Sequence, residues 1–244
     1  MTNISITILG HIKRKINTKK LQQWKSDLFK VRSVKEIGDI NFNNENYWQE
    51  LSDSKATEML KSNSEEVIQI LITEYSLENN YYMRRIDKNG AIISFFEVGD
   101  ILQRYNIPIE NFILKNIYEL VALKEIYSDL PQTKIEIPDI IHEETRGCLF
   151  DMNGLKSDIW YTTEKPTLCS QCEAFLASKH VTKDFIKTLK RELKQIRKQF
   201  FYRISDFIKL HPIVSIIIGF FVAICPNMAA NFLYDFIKFY ICKK

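Results

Sequence analysis

One histidine and three cysteines crowd into a short stretch of this chain: His142 and Cys148, then twenty residues, then Cys169-Ser-Gln-Cys172. A Cys-x-x-Cys knuckle presents two thiolates from one turn, and a second pair brought across a loop completes a tetrahedron around Zn²⁺. His142 and Cys148 are the natural second pair, with Glu143 or Glu144 as weaker substitutes. Four nitrogen and sulfur ligands close the coordination sphere, so such a site stabilises a fold and leaves no position for substrate. The competing reading is a redox pair, since redox Cys-x-x-Cys motifs open a helix and Glu173-Ala-Phe-Leu-Ala177 continues from Cys172 as a helix would. The spacing favours structural zinc. Arg146-Gly147, just before Cys148, is a candidate amide nest for its thiolate.

The same residues resemble the carboxy-terminal end of the archaemetzincins, zinc-dependent metallopeptidase-like proteins. That family carries HExxHxxGxxHC, four residues, Cys-x-Met, about seventeen residues and a Cys-x-x-Cys. Here His142-Glu143, four residues, Cys148-Leu-Phe150, eighteen residues and Cys169-Ser-Gln-Cys172 follow the second half of the pattern in order. Asn80-Tyr-Tyr-Met-Arg-Arg85 through Ala91-Ile-Ile-Ser94 resembles the family's strand pair before its active-site helix, so the likeness covers roughly residues 65–176. It implies a metzincin-like α/β (α+β) domain with a small zinc-binding segment.

The departures bear on activity. In the family, two histidines one helical turn apart hold zinc while the glutamate between them polarises a water. No HExxH occurs in this chain, whose four histidines are scattered at 11, 142, 180 and 211. In the corresponding helix Tyr118 and Ala122 stand where the histidines belong, and Glu119 alone survives. The resemblance therefore implies a degenerate, non-catalytic relative that kept the structural zinc. His142 either fills the fourth structural position, the preferred reading, or is a remnant of a third catalytic ligand. The alternative function is a membrane-tethered metallopeptidase with a site other than HExxH, using Glu119 as base and His142 as ligand.

The elements that must position these residues are read from hydrophobic periodicity. Ile4, Ile6 and Ile8 alternate with polar residues as a first strand does. Residues 17–30 place Leu21, Trp24, Leu28 and Phe29 at helical spacing. A polar loop is expected over Asn41 to Asn46, a short helix over Ser54 to Lys61 and a strand over Val67 to Thr73. Asp87-Lys-Asn-Gly90 is a turn between two apolar runs, hence a hairpin with Arg84 and Arg85 as ordinary hairpin charges. Helices follow over Val98 to Tyr105 and, after Pro108, over Glu110 to Tyr127. Asp151 and Asp158 flank the cysteine loop in solvated or capping roles.

The composition averages conceal a charge split. With 34 Lys and Arg against 30 Asp and Glu the chain carries +4 overall, yet residues 179–209 hold ten bases and only Asp184, Glu192 and Asp206. Within them Val181, Phe185, Leu189, Leu193, Ile196, Phe200, Ile204 and Phe207 recur in steps of three and four, predicting one long amphipathic helix. Its stripe is expected either to pack on the body or to self-associate as a coiled coil. Leu210 to Tyr234 then carries no formal charge. About 20 apolar residues span a bilayer, so this stretch is a candidate membrane segment, with Pro212, Ile217, Phe220, Phe221 and Ile224 in its apolar body and a kink at Pro226. A re-entrant hairpin and a buried core helix are the alternatives.

A basic flank beside an apolar segment suits an anionic cytoplasmic leaflet. No secretory signal is evident, so the body is expected on the cytoplasmic side, anchored by its tail. Membrane lipid and a protein partner or second copy are the expected partners. Nucleic acid is disfavoured, because the Phe and Ile positions keep to one helical stripe instead of dispersing for base stacking. The expected organisation is a zinc-binding body over 1–178, a basic amphipathic helix over 179–209 and a membrane tail over 210–244. The expected function is an interaction or membrane-effector module, of a kind compatible with bacterial defence.

Overall fold

In a computed structural model of the chain, residues 1–40, 50–60, 67–135 and 137–241 are described. The polar loop expected at Asn41 to Asn46 lies outside them. The chain divides into two compact units, Met1–Arg197 and Lys198–Lys244.

The first unit is built on strands β1 (Thr2–Leu9), β2 (Phe29–Ile37), β4 (Val67–Thr73), β6 (Met83–Asp87) and β7 (Gly90–Ser94), in the sheet order β2-β1-β4-β7-β6. β1 runs parallel to β2 and β4, and β4 parallel to β7, while β6 pairs antiparallel with β7 as the hairpin expected across Asp87–Gly90. Parallel neighbours need crossovers, and the chain supplies them through α1 (Thr18–Gln22) and α2 (Asp53–Leu60). A minor pair, β3 (Glu50–Leu51) and β5 (Ser76–Leu77), lies apart from this sheet.

Strand alternation gives the sheet two buried faces. Ile4, Ile6, Ile68, Ile70 and Ile93 face the larger core, and Leu9, Leu71 and Ile92 face a smaller one closed by Ala56 and Leu60 of α2. After α3 (Val98–Arg104), the long helix α4 (Ile109–Tyr127) fills the larger core. Every residue from Ile109 to Leu123 is buried. A helix apolar on nearly all sides must be enclosed, and at roughly 1.5–3 kcal/mol per large side chain this burial anchors the unit.

α5 (Ile159–Glu164), α6 (Ser170–Ser178) and α7 (Lys183–Leu193) complete it. Two polar tethers fix the outer pieces. Arg84, 1% exposed, makes a bidentate pair with Asp53 at 2.7 Å, tying the hairpin to α2. Arg85 Nε donates to the Pro131 carbonyl at 2.6 Å. Both arginines are thus buried tethers, more than ordinary hairpin charges.

Three expectations about the elements need correction. The helix expected over 17–30 stops at Gln22, and Phe29 opens the unforeseen edge strand β2. Trp24 stands between them, its indole donating to the Tyr118 hydroxyl at 2.8 Å. The single helix expected over 181–209 is two, α7 and α8 (Phe200–Leu210), separated by non-helical chain. Val181, Ile186, Leu189, Leu193 and Ile196 pack into the body, whereas Phe200, Phe201, Ile204, Phe207 and Ile208 are exposed. Packing on the body therefore holds for the first half of the stripe only, and the first unit extends past residue 178 to Arg197.

The second unit consists of α8 and α9 (Pro212–Ile241). α9 is one helix running through Pro226, not a re-entrant hairpin, and its stretch Pro212–Asp235 is long and apolar enough to cross a membrane, with none of its apolar window buried. Pro212, Ile217, Phe220 and Phe221 are exposed on it and Ile224 is half-buried, so the core-helix alternative does not apply.

Candidate metal centre

Three short runs of chain deliver four donors to one point. Thr167 and Leu168 lead into α6, whose N-cap is Cys169; its sulfur accepts the Cys172 N–H at 3.4 Å. A Cys-x-x-Cys at a helix start thus aims both sulfurs at the positive end of the helix. Cys148 arrives on a second run, held by Leu149 N–H donating to the Thr167 carbonyl at 2.7 Å and Thr167 N–H donating to the Gly147 carbonyl at 2.9 Å. Gly147 has φ +83°, a left-handed conformation that a side chain would strain. His142 comes on a third run, its N–H donating to the Phe150 carbonyl at 3.2 Å while its own carbonyl accepts from Met152 N–H at 2.9 Å.

The donors of His142, Cys148, Cys169 and Cys172 all lie within 4.8 Å of one another. His142 Nε2 is 3.1 Å from Cys172 Sγ and 3.6 Å from Cys169 Sγ, and Cys148 Sγ is 3.7 Å from Cys172 Sγ. Metal bonds of about 2.3 Å to sulfur and 2.0 Å to nitrogen give tetrahedral edges of about 3.4–3.8 Å. The 3.6 and 3.7 Å separations match those edges and the 3.1 Å one is shorter; Cys148 and Cys172 are buried. Among the described residues these four could hold a metal ion.

The electrostatics say what a cation would do here. The contact with the Cys172 sulfur pulls Cys148 down to about 5, helped by the backbone at Cys169 and Phe150, while the same contact pushes Cys172 well up. Two buried thiolates this close keep one proton between them unless a cation neutralises both.

Two buried polar atoms beside the cluster have no partner: His142 Nδ1 and Asp151 Oδ2. Asp151 is 2% exposed, so the solvated role expected of it does not hold, although its Oδ1 does cap Asn153 N–H at 3.0 Å. Asp158 pairs with Arg146 at 2.9 Å. Glu143 and Glu144 are exposed and stay outside the donor set.

Glu119 is not among the clustered donors either. Its Oε2 accepts from Lys115 at 2.6 Å, and it lines a cavity of about 60 Å³ with Tyr82, Arg85 and Asp151. Burial pulls the Lys115 ammonium down, but Glu119, with Tyr82 and Asp151 adding to it, offsets this and the net direction is up. Glu119 is thus a buried ion-pair partner.

Tyr118 has a structural role. Its hydroxyl donates to Glu192 Oε2 at 2.9 Å, and Glu192, 2% exposed, also accepts from Ser26 Oγ at 2.6 Å and Asp27 N–H at 2.9 Å. Burial, with the Glu192 carboxylate adding to it, pushes the phenol well above its usual range and keeps it a donor. This network binds α7 to α4. Tyr118–Glu192 carried no sequence signal, whereas Lys115–Glu119 has the i,i+4 spacing of a helical ion pair.

No family model, no curated protein and no solved structure matches the chain. The reading of the site rests on its own geometry.

Proposed function

We propose that this chain is a membrane-anchored, non-catalytic module whose body is held together by one structural zinc and which works by engaging a partner or the bilayer. The closed donor set of His142, Cys148, Cys169 and Cys172 carries this reading. Three thiolates and an imidazole in tetrahedral reach suit Zn²⁺ among common metals. All four come from protein, which leaves no open position for substrate or an activated water. The engagement of Glu119 by Lys115 and of Tyr118 by Glu192 gives the α4 residues structural work, and supports a degenerate archaemetzincin-like body over an active peptidase.

The tail supports the second half of the reading. α9 offers 24 residues of span. On α8 the apolar face of Phe200, Phe201, Ile204, Phe207 and Ile208 backs onto a polar face bearing Arg203 and Lys209, the pattern of a helix lying in a lipid interface. At three turns it is short for a coiled coil, so lipid suits its exposed half better than a second copy. Basic residues beside the span favour the cytoplasmic side for the body.

Metal content combined with alkaline membrane extraction tests this. The full chain should stay in the membrane pellet with one zinc, and Cys169→Ser should lose the zinc without leaving the pellet. A soluble chain, or one without zinc, would sink the proposal. Peptide cleavage abolished by Glu119→Gln would favour the peptidase instead.

A further inference from the structure

The two unpartnered buried atoms beside the cluster are complementary. His142 and Asp151 are paired residues of a parallel bridge, with His142 N–H bonded to Phe150 O and Met152 N–H bonded to His142 O. Residues paired this way project their side chains to the same side of the backbone. His142 presents Nε2 to the cysteines, at 3.1 Å from Cys172 Sγ and 3.6 Å from Cys169 Sγ. An imidazole whose Nε2 binds a metal carries its proton on Nδ1, which makes Nδ1 a donor. That nitrogen is buried without an acceptor, and Asp151 Oδ2 is buried without a donor. Leaving either so is costly, more for the charged group. Of the cations near Asp151, Lys115 Nζ is held by Glu119 at 2.6 Å and Arg85 Nε by the Pro131 carbonyl at 2.6 Å.

We propose that Asp151 is the outer partner of the metal centre: its Oδ2 accepts the Nδ1 proton of His142, fixes the ring's tautomer and orientation, and raises the affinity of Nε2 for the metal. Asp151 is a positioning residue acting through His142 and does not itself touch the ion. The inference rests on the metal-site reading above. It also gives the centre a link to the cavity lined by Asp151, Glu119 and Arg85, because the carboxylate that steadies His142 forms part of that wall.

The test is zinc affinity of the full chain, measured by competition with a chromogenic chelator, in two backgrounds. Asp151→Asn keeps the shape of the side chain and should weaken zinc binding about 10–100-fold. In a His142→Cys background, whose fourth ligand has no ring to orient, the same substitution should change affinity less than about 3-fold. An equal loss in both backgrounds would show that Asp151 acts through the fold, and no loss in either would show that it does not act; each outcome overturns the proposal. The ring reports independently of affinity. In zinc-loaded wild type the His142 Nδ1 proton should appear as a slowly exchanging nitrogen-bound signal that Asp151→Asn shifts, and an unshifted signal contradicts the assignment. A wild-type chain that takes up no zinc would instead remove the centre itself.

Discussion

α4 and α9 are both long helices that read as apolar, and they meet opposite fates. In α4 every residue from Ile109 to Leu123 is buried, and the helix still carries Lys115 and Glu119, neutralised against each other at 2.6 Å. In α9 the span Pro212–Asp235 leaves Ile217, Phe220 and Phe221 exposed, and no charge interrupts it before Asp235. A core supplies specific partners, so it can hold a paired charge. A bilayer supplies none, so a span does without. Apolar content alone would not separate the two helices; the placement of charges within them does.

The same contrast divides the helix pair α7 and α8. α7 turns Ile186, Leu189 and Leu193 into the core and is bound there by Glu192, whereas α8 keeps its phenylalanines outside. One continuous stripe of sequence therefore serves a protein core in its first half and, in the reading proposed here, a lipid surface in its second.

The largest effect that could break this comparison comes from one lysine placed in each long helix. Ile117→Lys puts an unpaired charge in the core at a cost above about 4 kcal/mol and should abolish folding of the body, read by loss of its thermal transition. Val222→Lys, costing about 2.5–3.5 kcal/mol of insertion near the span centre, should release the chain from membranes while the body's transition stays put. Equal unfolding by both would mean that α9 belongs to a protein core.

Next in size is the metal. Chelation, or Cys148→Ser, should lower the body's unfolding temperature and leave membrane attachment intact, because the ligands tie three runs of the first unit only. Unfolding monitored with and without chelator checks this, and an unchanged transition would remove the metal from the stability account.

A smaller effect is expected at the α7 tether. Tyr118→Phe should destabilise the body by about 1–3 kcal/mol, since the Glu192 carboxylate loses one of its buried donors. Denaturant unfolding measures it, and a neutral outcome would mean that α7 is held by its apolar face alone.

Much of this was legible in the residues. Alternating isoleucines marked β1, Asp87–Gly90 marked the hairpin, and the cysteine spacing marked the four-donor cluster, because each signal is local. The misses have physical causes. β2 carries Lys30, Arg32, Lys35 and Glu36 on an edge strand, and Leu28 and Phe29 extend the helical spacing of Leu21 and Trp24, so its period was masked. The break between α7 and α8 has no glycine or proline to announce it, and Leu193, Ile196 and Phe200 keep the three-four rhythm across it. The burial of Arg84, Arg85 and Asp151 left no mark in the sequence because it is tertiary: Asp53 and Pro131 lie 31 and 46 residues from their arginines.

The smallest effect sharpens the α7–α8 contrast. Arg203→Glu with Lys209→Glu should cut the full chain's preference for anionic over neutral vesicles, at about five-fold per charge removed. The same exchange at Lys187, on α7, should alter it far less. Vesicle flotation at fixed ionic strength reads both, and equal losses would mean that lipid contact is not confined to α8.

The central claim is the closed centre, and X-ray absorption at the zinc edge of the purified full chain tests it most directly. The account expects one zinc per chain with three sulfurs at about 2.3 Å and one nitrogen at about 2.0 Å. An oxygen in the inner shell, a second metal or no metal at all would contradict it.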